Sequence, residues 1–300
     1  MKRIFCILLV LSLCLTSVFA FDFDFSQTEM SDLIGDYSKD IVYALPAAVS
    51  ADNIWADAYI GQLISIPPHV AVGINLGGSF MGNNKMFENI GKSIGLPILS
   101  YLPGAPVPDA SFDARIGGLF LDFDIGVHGS FFRVDMEDMD FLNGSVQVNS
   151  YGIDFRYCIL TQKLIIPAIS IGIGYDHVST DALLTMTSEA AQLGFTFKTN
   201  ADLLSATAQT SWNLLFMKLF AGARGMLPLG DGITSHTEFS ATAQGASATF
   251  NPIDAVNKDL SIHVFGGIAF RLFVIDTTLG ATYDITNKDL GISWSTRVQL

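Results

Sequence analysis

Six basic residues, Arg115, Arg156, Lys218, Arg224, Arg271 and Arg297, fall on the polar side of segments that alternate apolar and polar residues. Five carboxylates share those polar rows: Asp113, Asp122, Asp124, Asp154 and Asp176. Each cation lies within about seven residues of a short turn or of the carboxy terminus, so at roughly 3.3 Å per residue they occupy one zone rather than a column. Cations gathered at one level of a pore form a ring that selects anions or sets a constriction. Alternatively, they pair with carboxylates as a salt-bridge network that closes the floor of a narrow barrel, because buried charges are usually paired. The residues alone leave both open.

Other chemistry-bearing groups are sparse. The histidines are His69, His128, His177, His236 and His263, and none stands in a zinc-binding pair. No serine has a glycine-flanked nucleophile motif and no glycine loop cradles phosphate. His177 adjoins Asp176, but alternation points the two to opposite faces. Cys158 lies on the inward row near a turn and reads as a small filler. The acids Asp135, Glu137, Asp138 and Asp140 do not match a twelve-residue calcium loop and lack its glycine, so they read as solvated charge. The expectation is a non-enzyme with no catalytic residue, no metal site and no cofactor.

The elements that position the inward charges are strands. The last residues alternate to the end: Leu290, Ile292, Trp294, Thr296, Val298 and Leu300 against Asp289, Gly291, Ser293, Ser295, Arg297 and Gln299. The same period of two runs through Tyr151, Ile153, Phe155, Tyr157 and Ile159 against Gly152, Asp154, Arg156 and Cys158, as in a strand with one apolar and one polar face. Short connections lie near 65–68, 119–122, 160–163, 214–217 and 272–275. Long polar ones lie at 82–109, 133–144, 179–200 and 229–259. That alternation suits a barrel with short periplasmic turns and long external loops.

These features predict an all-β fold: a transmembrane, antiparallel, up-and-down β-barrel of about 12 strands (range 10–14). Reaching twelve requires 47–52 and 56–64 to pair as strands. Ahead of the barrel, Ser26 and Glu29 form a capping box. Met30, Leu33, Ile34, Tyr37 and Ile41 then recur at helical spacing until Pro46. This predicts a short amphipathic helix over 27–44, a candidate plug.

Composition fits this reading. The 300-residue chain is 50% hydrophobic, yet after residue 20 it has no apolar run of about 18 residues, the length that marks a helical span. Met1 to Ala20 reads as a signal peptide, with Lys2 and Arg3, an apolar stretch from Ile4 to Leu15 and a Val18-Phe-Ala20 cleavage site. A lipoprotein reading through Cys14 fits poorly, because Leu13 stands where a small residue is expected. Cleavage after Ala20 removes Cys6 and Cys14, leaving Cys158 and no intramolecular disulfide. It leaves 14 basic against 29 acidic residues, a net charge near −15. Phosphate backbones demand the opposite sign, so nucleic acid is not an expected partner. The expected division is signal 1–20, helix and lead-in 21–54, and barrel 55–300.

Together, signal, charge-segregated strands, alternating loop lengths and terminal strand make residues 55–300 resemble bacterial outer-membrane β-barrel proteins. Asp57-Ala-Tyr-Ile-Gly-Gln-Leu-Ile-Ser-Ile-Pro-Pro-His69 and Arg297-Val-Gln-Leu300 are similar to segments of uncharacterised spirochaetal barrels. The resemblance implies the bacterial outer membrane as location, with its lipid and the barrel-assembly machinery as partners. One departure is Leu300, where such barrels usually end in an aromatic residue; Trp294 lies on the same row, six positions earlier. The expected function is a porin-like channel or transporter for small solutes, narrowed by a loop or the amino-terminal helix. The alternative is a structural or adhesion surface protein with a closed lumen. Uptake of apolar ligands is a third reading, resting on inward Phe132 and the helix's apolar face.

Overall fold

The computed structural model describes residues 27–63, 68–80, 106–119, 121–139, 142–163, 166–187, 191–243 and 246–300. Among the described residues one helix, α1 (Gln27–Asp52), precedes thirteen strands. These are β1 (Val70–Phe80), β2 (Pro106–Gly117), β3 (Phe123–Met139), β4 (Leu142–Leu160), β5 (Ala168–Thr187), β6 (Ala191–Leu214) and β7 (Met217–Pro228). They continue as β8 (Ile233–Ala243), β9 (Ala246–Thr249), β10 (Ile253–Asn257), β11 (Ser261–Leu272), β12 (Ile275–Asp284) and β13 (Leu290–Gln299).

All pairings are antiparallel, and ten strands close the wall in the order β6-β5-β4-β3-β2-β1-β13-β12-β11-β7, with β7 returning to β6. Closure depends on β1 pairing with β13, Val72 opposite Val298 and Leu76 opposite Trp294. Both members of each pair lie on the outward row, where Val72, Ile74, Leu76, Ile292, Trp294 and Val298 are exposed. The ten residues of β13, tilted as barrel strands are, span roughly 25 Å, the height of an apolar membrane band.

The wall is uneven in height. β6 has 24 residues and β7 only 12. The lower half of β6 pairs with β7, Leu203 opposite Pro228 and Leu214 opposite Met217. Its upper half pairs with β8, which carries β10 and β9. On this extension the outward row becomes charged: Asp181, Lys198, His236 and Asp254 stand opposite one another across β5, β6, β8 and β10.

The strand count therefore settles at ten in the closed wall, at the low end of the expected range, with β8, β9 and β10 beyond it. Residues 47–52, expected to pair as a strand, are helix, and 56–63 are neither strand nor helix. Expected loops at 133–144 and 179–200 are largely strand, and 229–259 contains β8, β9 and β10. Most of 82–109 lies outside the described residues; Pro106 and Pro108 belong to β2.

α1 runs eight residues past its expected end and through Pro46. A proline there has no N–H to donate to the carbonyl four residues back. That carbonyl, on Val42, instead accepts a hydrogen bond from Asn257 Nδ2 at 3.3 Å, and the next, on Tyr43, accepts one from Asn287 Nδ2 at 3.2 Å. Side chains of β10 and of the β12–β13 turn thus repair the break the sequence makes in the helix.

The helix lies inside the barrel. Val42, Leu45 and Val49 form one buried cluster with Val178, Ala201, Leu203, Met226, Ile233 and Ala255 of β5, β6, β7, β8 and β10. Burying a side chain of this size is worth about 1.5–3 kcal/mol. Of the expected apolar helix face, Ile41 is buried; the side chains of Met30, Leu33, Ile34 and Tyr37 lie outside the described ones.

Candidate functional site

Five of the six cations line the turn-side half of the lumen; Arg224, expected in the same zone, stands higher, opposite His263 near the far end of β11. Arg115 (β2), Arg156 (β4), Lys218 and Arg224 (β7) and Arg297 (β13) are buried, and Arg271 (β11) is partly exposed. Long side chains need space to lie flat against the wall. The structure leaves it opposite glycines: a Cβ on Gly73 would meet Arg297, and one on Gly126 would meet Arg115 and Asp154.

Most of the expected carboxylates join them. Asp124 accepts from Arg115 at 2.5 Å and from Arg156 at 2.8 and 2.9 Å, while Asp154 takes both oxygens to Arg115 Nη2 at 2.6 and 2.7 Å. Asp113 pairs with Arg297 at 2.6 Å. Two expected members stand apart. Asp176 pairs with His128 at 2.7 Å, and Asp122 accepts from Tyr59 and Gln62.

The rest of the site comes from the chain just after the helix. Residues 53–60 run along the cations, and backbone oxygens of the helix end and of this segment are the acceptors. Arg224 donates to the carbonyls of Ser50 and Asn53, Arg297 to that of Ile54, Gln209 to that of Trp55 and Arg156 to that of Asp57. The last carbonyls of a helix have no intrahelical partner and carry the negative end of its dipole. α1 has no basic residue in its last turn, so the wall supplies the cation.

Two side chains fix this segment further. Asp57 accepts from Lys218 at 2.5 Å and from Arg271 at 3.1 Å, and both cations also bond Asp276. The Trp55 ring is faced by Arg297 at 4.1 Å and Arg115 at 4.7 Å from its centroid, within cation–π range. The gap left beside Asn53 and Trp55 is about 10 Å³, room for about one water molecule. Among the described residues Ser50 Oγ, Asp113 Oδ1 and Arg115 Nε are buried with no hydrogen-bond partner, a destabilising remainder within the network.

At the helix end, Ser111 donates to Asp52 at 2.5 Å. On the turn side, burial and the Asp122 carboxylate hold the Tyr59 hydroxyl above its ordinary range. On the extension, His236 hydrogen-bonds Asp254 at 2.7 Å and Glu238 at 3.3 Å, and these bonds raise its pKa above the usual imidazole value. No group of three or more metal-ligating side chains occurs among the described residues.

Inward position was legible for the six cations; their partners were less so. Asp276 had a usable signal, since the two-residue turn after Leu272 sets Arg271 opposite Asp276. Trp55, Asp57 and the carbonyls of residues 50–57 had none, because that stretch has no periodicity.

No family model matches the chain, and a search of curated proteins finds no match. Among solved structures, it is similar to the outer membrane protease OmpT from Escherichia coli (9% identity, TM-score 0.37, covering 78% of this chain and 97% of that one). It is also similar to the translocator domain of the autotransporter NalP from Neisseria meningitidis (7%, 0.32, 90% and 97%) and to the CymD monoaromatic hydrocarbon channel (9%, 0.26, 85% and 97%).

Proposed function

We propose that the chain is an outer-membrane channel for small solutes, closed at rest by a plug made of α1 and residues 53–60. The outward apolar rows would face lipid, the charged row of the extension would stand in water beyond them, and the terminal strand would be handed in by the barrel-assembly machinery. No catalytic step belongs to this reading.

The observation that carries it is the attachment of Arg224. This buried cation bonds the plug carbonyls of Ser50 and Asn53 and the hydroxyl of Thr207. Its hydrogen bonds go to the helix end rather than to a carboxylate, with Asp176 and Asp154 acting on it only at longer range. A wall that depends on the plug for balance becomes more positive and more hydrated when the plug withdraws. The foot of the plug is held by polar bonds that water can replace, unlike its apolar upper half.

A second reading, a surface protein whose lumen never opens, is favoured by the 10 Å³ gap. One experiment separates the two. Ser38 Oγ and Thr237 Oγ1 are 2.7 Å apart, close enough for a disulfide between cysteines at those positions. In a Cys158→Ala background, S38C/T237C is expected to conduct in planar bilayers when reduced and to fall silent when oxidised. Silence in both states supports the closed-barrel reading, and conduction in both rules out the helix as the gate.

A further inference from the structure

Much of the turn end of the barrel is apolar where tight turns are ordinarily polar, the exposed Thr161 and Lys163 of the β4–β5 turn excepted. Hairpin turns with positive φ favour Gly, Asn and Asp. Here Leu215 (φ 54°) and Phe273 (φ 56°) occupy the left-handed region in the β6–β7 and β11–β12 turns, which bulky residues rarely adopt. They are 99% and 90% exposed. β7 and β11 are neighbours, so these turns lie side by side. The β2–β3 and β4–β5 turns add exposed Leu119, Leu121 and Ile166. Exposed Val298 and Leu300 complete the circle beside β1.

We infer that this ring of turn tips is a lipid-contact surface, immersed in the leaflet on the turn side and extending the apolar belt to the end of the barrel. The inference rests on the outer-membrane reading above. Continuity identifies the occupant: Ile275, Val274, Phe273 and Leu272 form one exposed apolar run from β12 through the turn into β11. The nearest acid, Asp276, is turned inward onto Lys218 and Arg271. Apolar side chains held outward at strained backbone positions have lipid as the solvent that rewards them.

The test uses nitroxide labels on the full mature chain in phosphatidylcholine vesicles, in a Cys158→Ala background. F273C is compared with mid-belt L279C and extension K198C for accessibility to oxygen and to a water-soluble nickel chelate. A label at 273 with an oxygen preference close to that at 279 is the expected result. Nickel accessibility at 273 equal to that at 198 overturns the inference, as does spin–spin broadening that assigns the ring to a second copy. Nickel accessibility at 279 as well would overturn the membrane reading itself, whereas the conductance result bears only on gating. As a second measurement, L215N/F273N places a residue that tolerates positive φ at both tips. It is expected to fold normally in detergent and to insert into preformed vesicles several-fold more slowly. Equal insertion rates overturn the inference.

Discussion

Arg297 and Trp55 meet face to face, the guanidinium carbon 4.1 Å from the ring centroid, while the same guanidinium donates to the Ile54 carbonyl at 2.9 Å. One wall side chain thus holds both the ring and the backbone of the plug. Trp55→Ala removes a buried aromatic, which typically costs about 3–5 kcal/mol, including a desolvated cation–π contact worth about 2 kcal/mol or more. The expected outcome is a lower thermal unfolding midpoint in detergent with the heat-modifiable barrel band retained, and a higher open probability in bilayers. Trp55→Phe should lose less on both counts. An Ala variant with an unchanged midpoint would show that the contact contributes little.

Asp57 is shared by Lys218 and Arg271. Asp57→Asn neutralises it while Lys218 stays buried, and removing one partner of a buried pair costs about 3–5 kcal/mol. Asp276 still pairs with both cations, so the loss should fall toward the low end. Chemical unfolding of the variant in detergent checks the value.

His236 provides the pH dependence. Its folded-state pKa is raised by Asp254 and Glu238, so its contribution is full below the unfolded value near 6.5 and is lost as pH rises through the folded value. Amide exchange on β8 and β10 should accelerate across that window, and the imidazole should titrate above an ordinary histidine in NMR. Asp254→Asn should bring the titration back toward the ordinary value; an unmoved midpoint would exclude Asp254 as the cause.

The plug has a direction. Ser38 touches β8 on the extension, while Asp57 reaches the β11–β12 turn end. α1 therefore descends from the extension towards the turns. An epitope tag inserted after Ala20 should bind antibody on intact cells, whereas a tag after Leu300 should bind only after permeabilisation. The reverse pattern would invert the assigned orientation.

The sequence made the barrel legible over the ten-strand wall, because alternation there records a contrast between an apolar outward row and a polar inward row. Past Tyr151 on β4 and Tyr175 on β5 that contrast ends. Asn149 and Gln147, like Ser179 and Asp181, are polar on the outward row too, although the ladder continues through Asn149 opposite Ser179 and Gln147 opposite Asp181. Strand thus reads as loop where the outward row turns polar, although Val146, Val178 and Ala182 stay buried on the inward row. Pro46 misled for a different reason: a helix boundary is inferred from local rules, whereas Asn257, 211 residues later in the chain, supplies the missing donor to Val42. Arg156 and Asp124 were visible as inward charges, but their hydrogen-bonded pairing needed the register of β3 against β4.

The long-range pairing of β1 with β13 also sets an order of assembly. The cation that clasps Ile54, Arg297, is on the final strand, so the segment after the helix cannot gain this clasp until the last residues have been synthesised and paired. Contacts this far apart in sequence are slow to form. Until they do, the Ile54 carbonyl and the Trp55 ring lack Arg297, while Arg224 of β7 and Arg156 of β4 can already hold Ser50, Asn53 and Asp57. Completion of the cylinder and the last clasp on the segment after the helix therefore become one event, an internal check that the sheet has closed.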